Sequence, residues 1–299
     1  MTATVPYANL VNASVLTNRY LLRRSGTLWA PPCTNGGTPT LVDAPRLMSG
    51  AGFGGGFAGI EPSGRPFALG MDLAAAGCAT TLGQFGKVVG DPLGAAWIGV
   101  DGGLAVHRDG QHMRFHGAPG PDEAVLDVAM GLASGIVLRA DGSTLFMHCR
   151  ASGRPAVDDE PIRDLAARVP RAIAVAGNGA CVAVVDPDGR PHFAGPMARG
   201  LASSVPDDLP PLASIALSDS ARAAGLDADG RIHDWGVDAA GHAGLPADMQ
   251  EARFVGLCLG RSWISAIDRD GIAHGFGPGM APWAGVDMLG ELLAIAIGS

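Results

Sequence analysis

Seven times along the chain one short frame returns: a run of apolar residues, then Asp-Gly or Ser-Gly, then a His or aromatic residue, often with a closing Gly. Residues 218–236 and 259–277 share an apolar run, an Asp-Gly, a His three residues later and an aromatic-Gly pair, at an offset of 41 residues. The frame recurs around Asp188-Gly189, Asp141-Gly142, Asp109-Gly110, Ser63-Gly64 and Ser25-Gly26. Turn glycines are therefore expected at 26, 64, 110, 142, 189, 230 and 271, spaced 38, 46, 32, 47, 41 and 41 residues apart. Asp-Gly between two strand-like runs signals a hairpin, because both central residues of a type I′ turn need positive φ. A period near this length marks a repeat architecture, in which no unit buries its apolar face alone.

A third strand precedes the hairpins. Runs of small and aliphatic residues at 126–130, 172–176, 213–217 and 254–258 suit the crowded inner strand of a radial sheet. The run 292–297, Leu-Leu-Ala-Ile-Ala-Ile, reads as one more inner strand with no hairpin after it, and the hairpin at Ser25-Gly26 has no clear strand before it. Joining them completes a seventh unit. The expected fold is all-β, a seven-bladed β-propeller forming a single domain over residues 1–299. Its ring is closed by the C-terminal strand completing the blade begun by the N-terminal hairpin, which leaves no bare sheet edge. Only residues 164–169 are expected to form a helical turn.

Composition fits this reading. The 45 glycines and 22 prolines supply many turns, while 47% hydrophobic residues supply a core. No apolar run approaches the ~18 residues of a membrane span, so no membrane partner is expected. The N-terminus lacks a basic patch followed by an apolar segment, so a cytoplasmic location is expected. The five cysteines are odd in number and form no C-x-x-C pair, so they read as reduced thiols. A net charge of −8 repels a phosphate backbone and argues against nucleic acid.

Motifs of chemistry are few. Gly50-x-Gly52-x-x-Gly55 matches the dinucleotide fingerprint in letters, but strand and turn follow it where a helix is required. His192, His233 and His274 recur three residues after successive turn glycines. Equivalent positions of neighbouring blades diverge, whereas a metal needs ligands converging within about 2 Å. Asp186-Pro-Asp188-Gly189 and Asp227-Ala-Asp229-Gly230 look like fragments of a calcium loop without its later ligands. His107, His112 and His116 read as solvated strand residues, and Asp158-Asp159-Glu160 as a solvated loop. No cofactor and no metal are expected.

The repeat resembles that of the regulator of chromosome condensation family of seven-bladed propellers. Within residues 215–245, Asp229-Gly230, Trp235-Gly236 and Gly241-His242-Ala243-Gly244-Leu245 follow the family's D-G, W-G and G-Q-L-G positions, with His242 in place of Gln. The family usually has a His eight residues before the turn Gly. Here those positions are Asn18, Gly56, Gly102, Ser134, Cys181, Arg222 and Trp263. The resemblance implies protein binding: the founding member is a nucleotide exchange factor for a small GTPase and binds chromatin, and a bacterial relative inhibits β-lactamases.

Arg222 and Trp263 are expected to open the second strands of adjacent blades and to lie side by side near the central opening. With Arg261, Asp219, Asn178 and Asn18 they form the candidate partner-binding set, since Trp and Arg are enriched at binding hot spots. Trp263 has an equal second reading as packing between blades. The functional expectation is a protein-interaction propeller of inhibitor, immunity or adaptor type. A lyase or hydrolase acting on a small molecule in the central channel is one alternative, with its catalytic residues unassigned. An exchange factor, implied by the resemblance alone, is another.

Overall fold

A computed structural model describes residues 7–10, 13–16, 20–23, 25–30, 39–53, 56–70, 84–91, 94–108, 111–115, 124–131, 134–148, 160–218, 220–237, 239, 244–260 and 262–278. After β1 (Tyr7–Leu10) the chain lays down seven antiparallel sheets in order. Blade 1 is β2 (Ala13–Leu16), β3 (Leu21–Arg23), β4 (Leu28–Ala30) and β5 (Thr40–Leu41), and blade 2 is β6 (Ser49–Phe53), β7 (Gly56–Ile60) and β8 (Pro66–Leu69). Blade 3 is β9 (Phe85–Asp91), β10 (Gly94–Gly99), β11 (Leu104–Arg108) and β12 (Gln111–Phe115), and blade 4 is β13 (Val125–Met130), β14 (Ser134–Arg139) and β15 (Thr144–His148). Blade 5 is β16 (Ala174–Gly177), β17 (Val182–Val185) and β18 (Pro191–Ala194), and blade 6 is β19 (Leu212–Leu217), β20 (Arg222–Asp227) and β21 (Ile232–Gly236). Blade 7 is β22 (Phe254–Gly260), β23 (Trp263–Asp268) and β24 (Ala273–Phe276).

The first strands of successive blades run beside one another around the centre. The second strands are buried along nearly their whole length, and the core lies between blades rather than within them. Ala129, Ile136 and Leu138 of blade 4, for example, share one cluster with Val175, Val182 and Val184 of blade 5. Among the described residues three short helices fill connections: α1 (Glu160–Arg168), α2 (Ala198–Ser203) and α3 (Ala247–Glu251). The expected turn at 164–169 lies largely within α1, which buries Ile162, Leu165 and Ala166 and carries Glu160 in its first turn and Arg168 in its last, as the helix dipole favours. The other two span six and five residues, too short for their periodicity to stand out.

Three details depart from expectation. In blade 3 the turn between second and third strands is Asp101-Gly102, and Asp109-Gly110 falls between β11 and β12, where Arg108 pairs with Gln111. The turn glycines thus stand at 26, 64, 102, 142, 189, 230 and 271, with φ between 79° and 85°. Their spacings are 38, 38, 40, 47, 41 and 41, more even than expected. The turns are also not type I′. Gly230 N–H donates to the Asp227 carbonyl and Asp227 N–H to the Arg231 carbonyl, and among the described turn residues only the glycine has positive φ. This is a type I turn followed by a left-handed glycine.

Closure differs as well. The place beside β3 expected for residues 292–297 is taken by β2, and β1 pairs with β24 as the outermost strand of blade 7. The N-terminal segment therefore bridges last and first blades, and residues 292–297 lie outside the described residues.

Candidate functional site

The candidate partner-binding residues fall at the turns between first and second strands and at the openings of second strands. Arg222 and Trp263 do open β20 and β23 of neighbouring blades, but both point inward. Arg222 is 4% exposed, and its guanidinium grips Asp234 with two bonds, Nε to Oδ1 at 2.9 Å and Nη2 to Oδ2 at 2.7 Å. Burial of a guanidinium demands such a partner, since an unpaired charge in the interior is costly. The indole of Trp263 packs against Gly260, in the space a side chain there would need. Asn178 is buried too: its Oδ1 accepts the N–H groups of Ala180 and Cys181 at 2.9 and 2.7 Å, and its amide donates to the Ser218 carbonyl of the next blade. These three are building material of the ring rather than an open hot spot. Asn18, Asp219 and Arg261 lie outside the described residues, and with Gly102 as the turn glycine, the equivalent of Arg222 in blade 3 is Gly94.

The opposite face has a regular feature that the sequence reading missed. Five of the seven turn glycines accept a hydrogen bond from the start of the next blade: Leu47, Phe85, Ala172, Leu212 and Phe254 donate to Gly26, Gly64, Gly142, Gly189 and Gly230 at 2.8–2.9 Å. Those five donors are buried. Directly after them the strand must come back into register with its own blade, and it does so through a bulge. Val125 faces Arg139 but Asp127 faces Leu138, which leaves Leu126 unpaired in the ladder. Ala213, Val255 and Gly86 are skipped in the same way. Met48 and Ile173 hold the matching position before β6 and β16, donating to the Ile60 and Val185 carbonyls at 2.7 and 2.9 Å.

A bulge leaves its extra residue without a partner in the ladder and re-aims its side chain. The result is a ring of outward residues around the channel mouth. Met48 is 52% exposed, Leu126 51%, Ile173 48% and Val255 62%, and Ala213 and Gly86 are exposed between them. Four of the eight large apolar side chains exposed among the described residues therefore sit at one register position.

The turns of this face are held by carboxylates. Asp186, Asp227 and Asp268 each accept backbone N–H groups of their own turn and bind the following His at Nε2, at 2.7, 2.9 and 3.2 Å for His192, His233 and His274. That is the role of the repeated His. Burial pushes the carboxyls of Asp186 and Asp227 upward, but the hydrogen bonds from His and backbone outweigh it and hold both below the usual carboxylate value. Across blades 3 and 4, Lys87 Nζ binds Asp127 Oδ2 at 2.8 Å and the Leu126 carbonyl at 3.3 Å.

Along the channel the described first-strand residues are mostly Gly, Ala, Val, Leu and Ile, and Lys87, Asp91 and Asp127 are the charged ones. Cys258 of β22 keeps some solvent contact, yet the surrounding protein desolvates its thiol and pushes it up to about 11. Among the described residues no three His, Cys, Asp or Glu side chains converge as a metal would need. Arg168, His192 and Arg199 border an open groove of 400 Å³ on the outer side of blade 5, away from the channel.

Solved structures share this architecture. Human WBSCR16 is 15% identical over 94% of this chain and 91% of its own, with a TM-score of 0.60. Prp20p from Saccharomyces cerevisiae, a protein with binding properties to Gsp1p and histones, is 10% identical over 100% of this chain and 96% of its own, at 0.54. The WD40 propeller domain of Doa1 is 13% identical over 94% of this chain and 100% of its own, at 0.51. No family model matches the sequence, and no curated protein matches it. The shared property is the fold, a β-propeller, as the repeat implied.

Proposed function

We propose that this chain is a non-catalytic interaction propeller, of inhibitor, immunity or adaptor type, that holds a protein partner on the bulge-bearing face. The observation that carries the reading is the ring of Met48, Leu126, Ile173 and Val255, each about half exposed or more at one register position. Scattered apolar residues on a surface are ordinary, but a set gathered around one opening on a rigid scaffold is what interfaces use. Protein binding by a propeller of this fold, as with Prp20p, supports the same reading. A catalytic pocket in the channel gains no support from the Lys87–Asp127 pair of the first strands, which is satisfied internally.

The test is site-specific photocrosslinking in cells of origin. A photoreactive residue in place of Leu126 or Val255 is expected to trap one discrete protein, while the same group at Leu145, equally apolar and exposed but on the third strand of blade 4, traps none. Equal trapping at both places, or none at the ring, removes the reading.

A further inference from the structure

We infer that the partner presents a basic segment with an apolar anchor, and that the anchor seats over Ala213, between Ile173 and Val255. This rests on the reading of the bulge ring as the binding face. Three successive blades make the seat. Ile173, Ala213 and Val255 hold the same bulge position in blades 5, 6 and 7, so a methyl group lies between two large exposed side chains and leaves a depression there. The turn Asp188-Gly189 packs on Pro211 and Leu212, directly before Ala213, and the turn Asp229-Gly230 packs on Phe254, directly before Val255. Asp188 and Asp229 are exposed at the tips of these turns, so an acidic tip stands on either side of the seat.

Charge on this side is unequal around the ring. Among the described residues, the turns at 186–190, 227–231 and 268–271 and the connections 206–211 and 244–253 carry ten Asp or Glu against four Arg. The corresponding turns at 61–65, 99–103 and 139–143 and connections 42–47 and 169–172 carry four of each. An apolar seat in an acidic half of the face selects a segment whose central apolar side chain is flanked by Lys or Arg, with charge setting approach and orientation and the apolar contact setting residence.

The test uses the full chain and two short synthetic peptides of equal length, a central Leu flanked by Lys and Arg in one and by Glu in the other, followed by fluorescence anisotropy. The basic peptide is expected to bind about tenfold or more tightly than the acidic one, with affinity falling as salt rises. Asp188→Lys with Asp229→Lys is expected to abolish that preference, and Ala213→Trp, which fills the seat, to weaken the basic peptide by a similar factor. Each site is exposed, and an unchanged melting temperature checks the fold. Equal binding of both peptides, binding of neither, or indifference to these variants overturns the inference. The two levels separate through Ile173→Ser with Val255→Ser: if photocrosslinking at Leu126 survives that variant, the seat falls while the ring reading stands, if it is lost while peptide charge makes no difference, only the basic partner falls, and if nothing is trapped at Leu126 in the unaltered chain, the ring reading itself falls. Self-association that these ring variants abolish would replace the partner with a second copy and also overturn it.

Discussion

Arg222 shows how one residue's neighbourhood decides its meaning. A charge in this interior persists because β21 places Asp234 diagonally across from it, in the register Arg222 with Gly236 and Ala224 with Asp234. Asp234→Ala is expected to cost about 3–5 kcal/mol in urea unfolding by stranding the guanidinium, whereas Arg222→Met with Asp234→Leu costs much less. The carboxylates of the turns make a second, pH-dependent contribution. Asp186 and Asp227 are held below 3.8, so their stabilisation is present above the unfolded-state value and is lost as pH falls through the lower native one. Asp186→Asn with Asp227→Asn is expected to lower the melting temperature at neutral pH and to flatten its decline below about pH 4.

At the level of strands and turns, one glycine per blade does two things. Gly230 has φ of 83°, and a Cβ there would lie 2.5 Å from the Phe254 carbonyl oxygen in the next blade. Gly230→Ala is therefore expected to cost about 1–3 kcal/mol in chemical unfolding, the price of a strained backbone with a clash added. Gly256→Ala, in a first strand with nothing within 4 Å, is the control and is expected to change stability little. These turns were legible in the sequence because Asp-Gly between apolar runs recurs at nearly constant spacing. Blade 3 misled because Asp101-Gly102 and Asp109-Gly110 both satisfy the signal, and only the evenness of the spacing favours the first. The buried fate of Arg222 was not legible, since its partner is set by cross-strand register. The ring was hidden for another reason: a bulge breaks the alternation of inward and outward residues. Its trace is a pair of adjacent apolar residues at a strand start, as in Leu47-Met48, Val125-Leu126 and Phe254-Val255.

Across the whole molecule, stability belongs to junctions, because the apolar clusters and the turn hydrogen bonds are both shared by neighbouring blades. Closure by β1 makes the last junction depend on the first residues of the chain. Removing residues 1–10 is expected to bare the edge of β24, lower the melting temperature and produce concentration-dependent association, read by scanning calorimetry and light scattering. The shared turns carry a consequence for how such a chain can lengthen or shorten through its history. A turn glycine in one blade is completed by a strand residue of the next, as Gly189 is by Leu212. A copied segment running from first strand to third would carry its glycine away from the partner it was shaped against. The heritable module runs from turn to turn, 38 to 47 residues long, and straddles two blades.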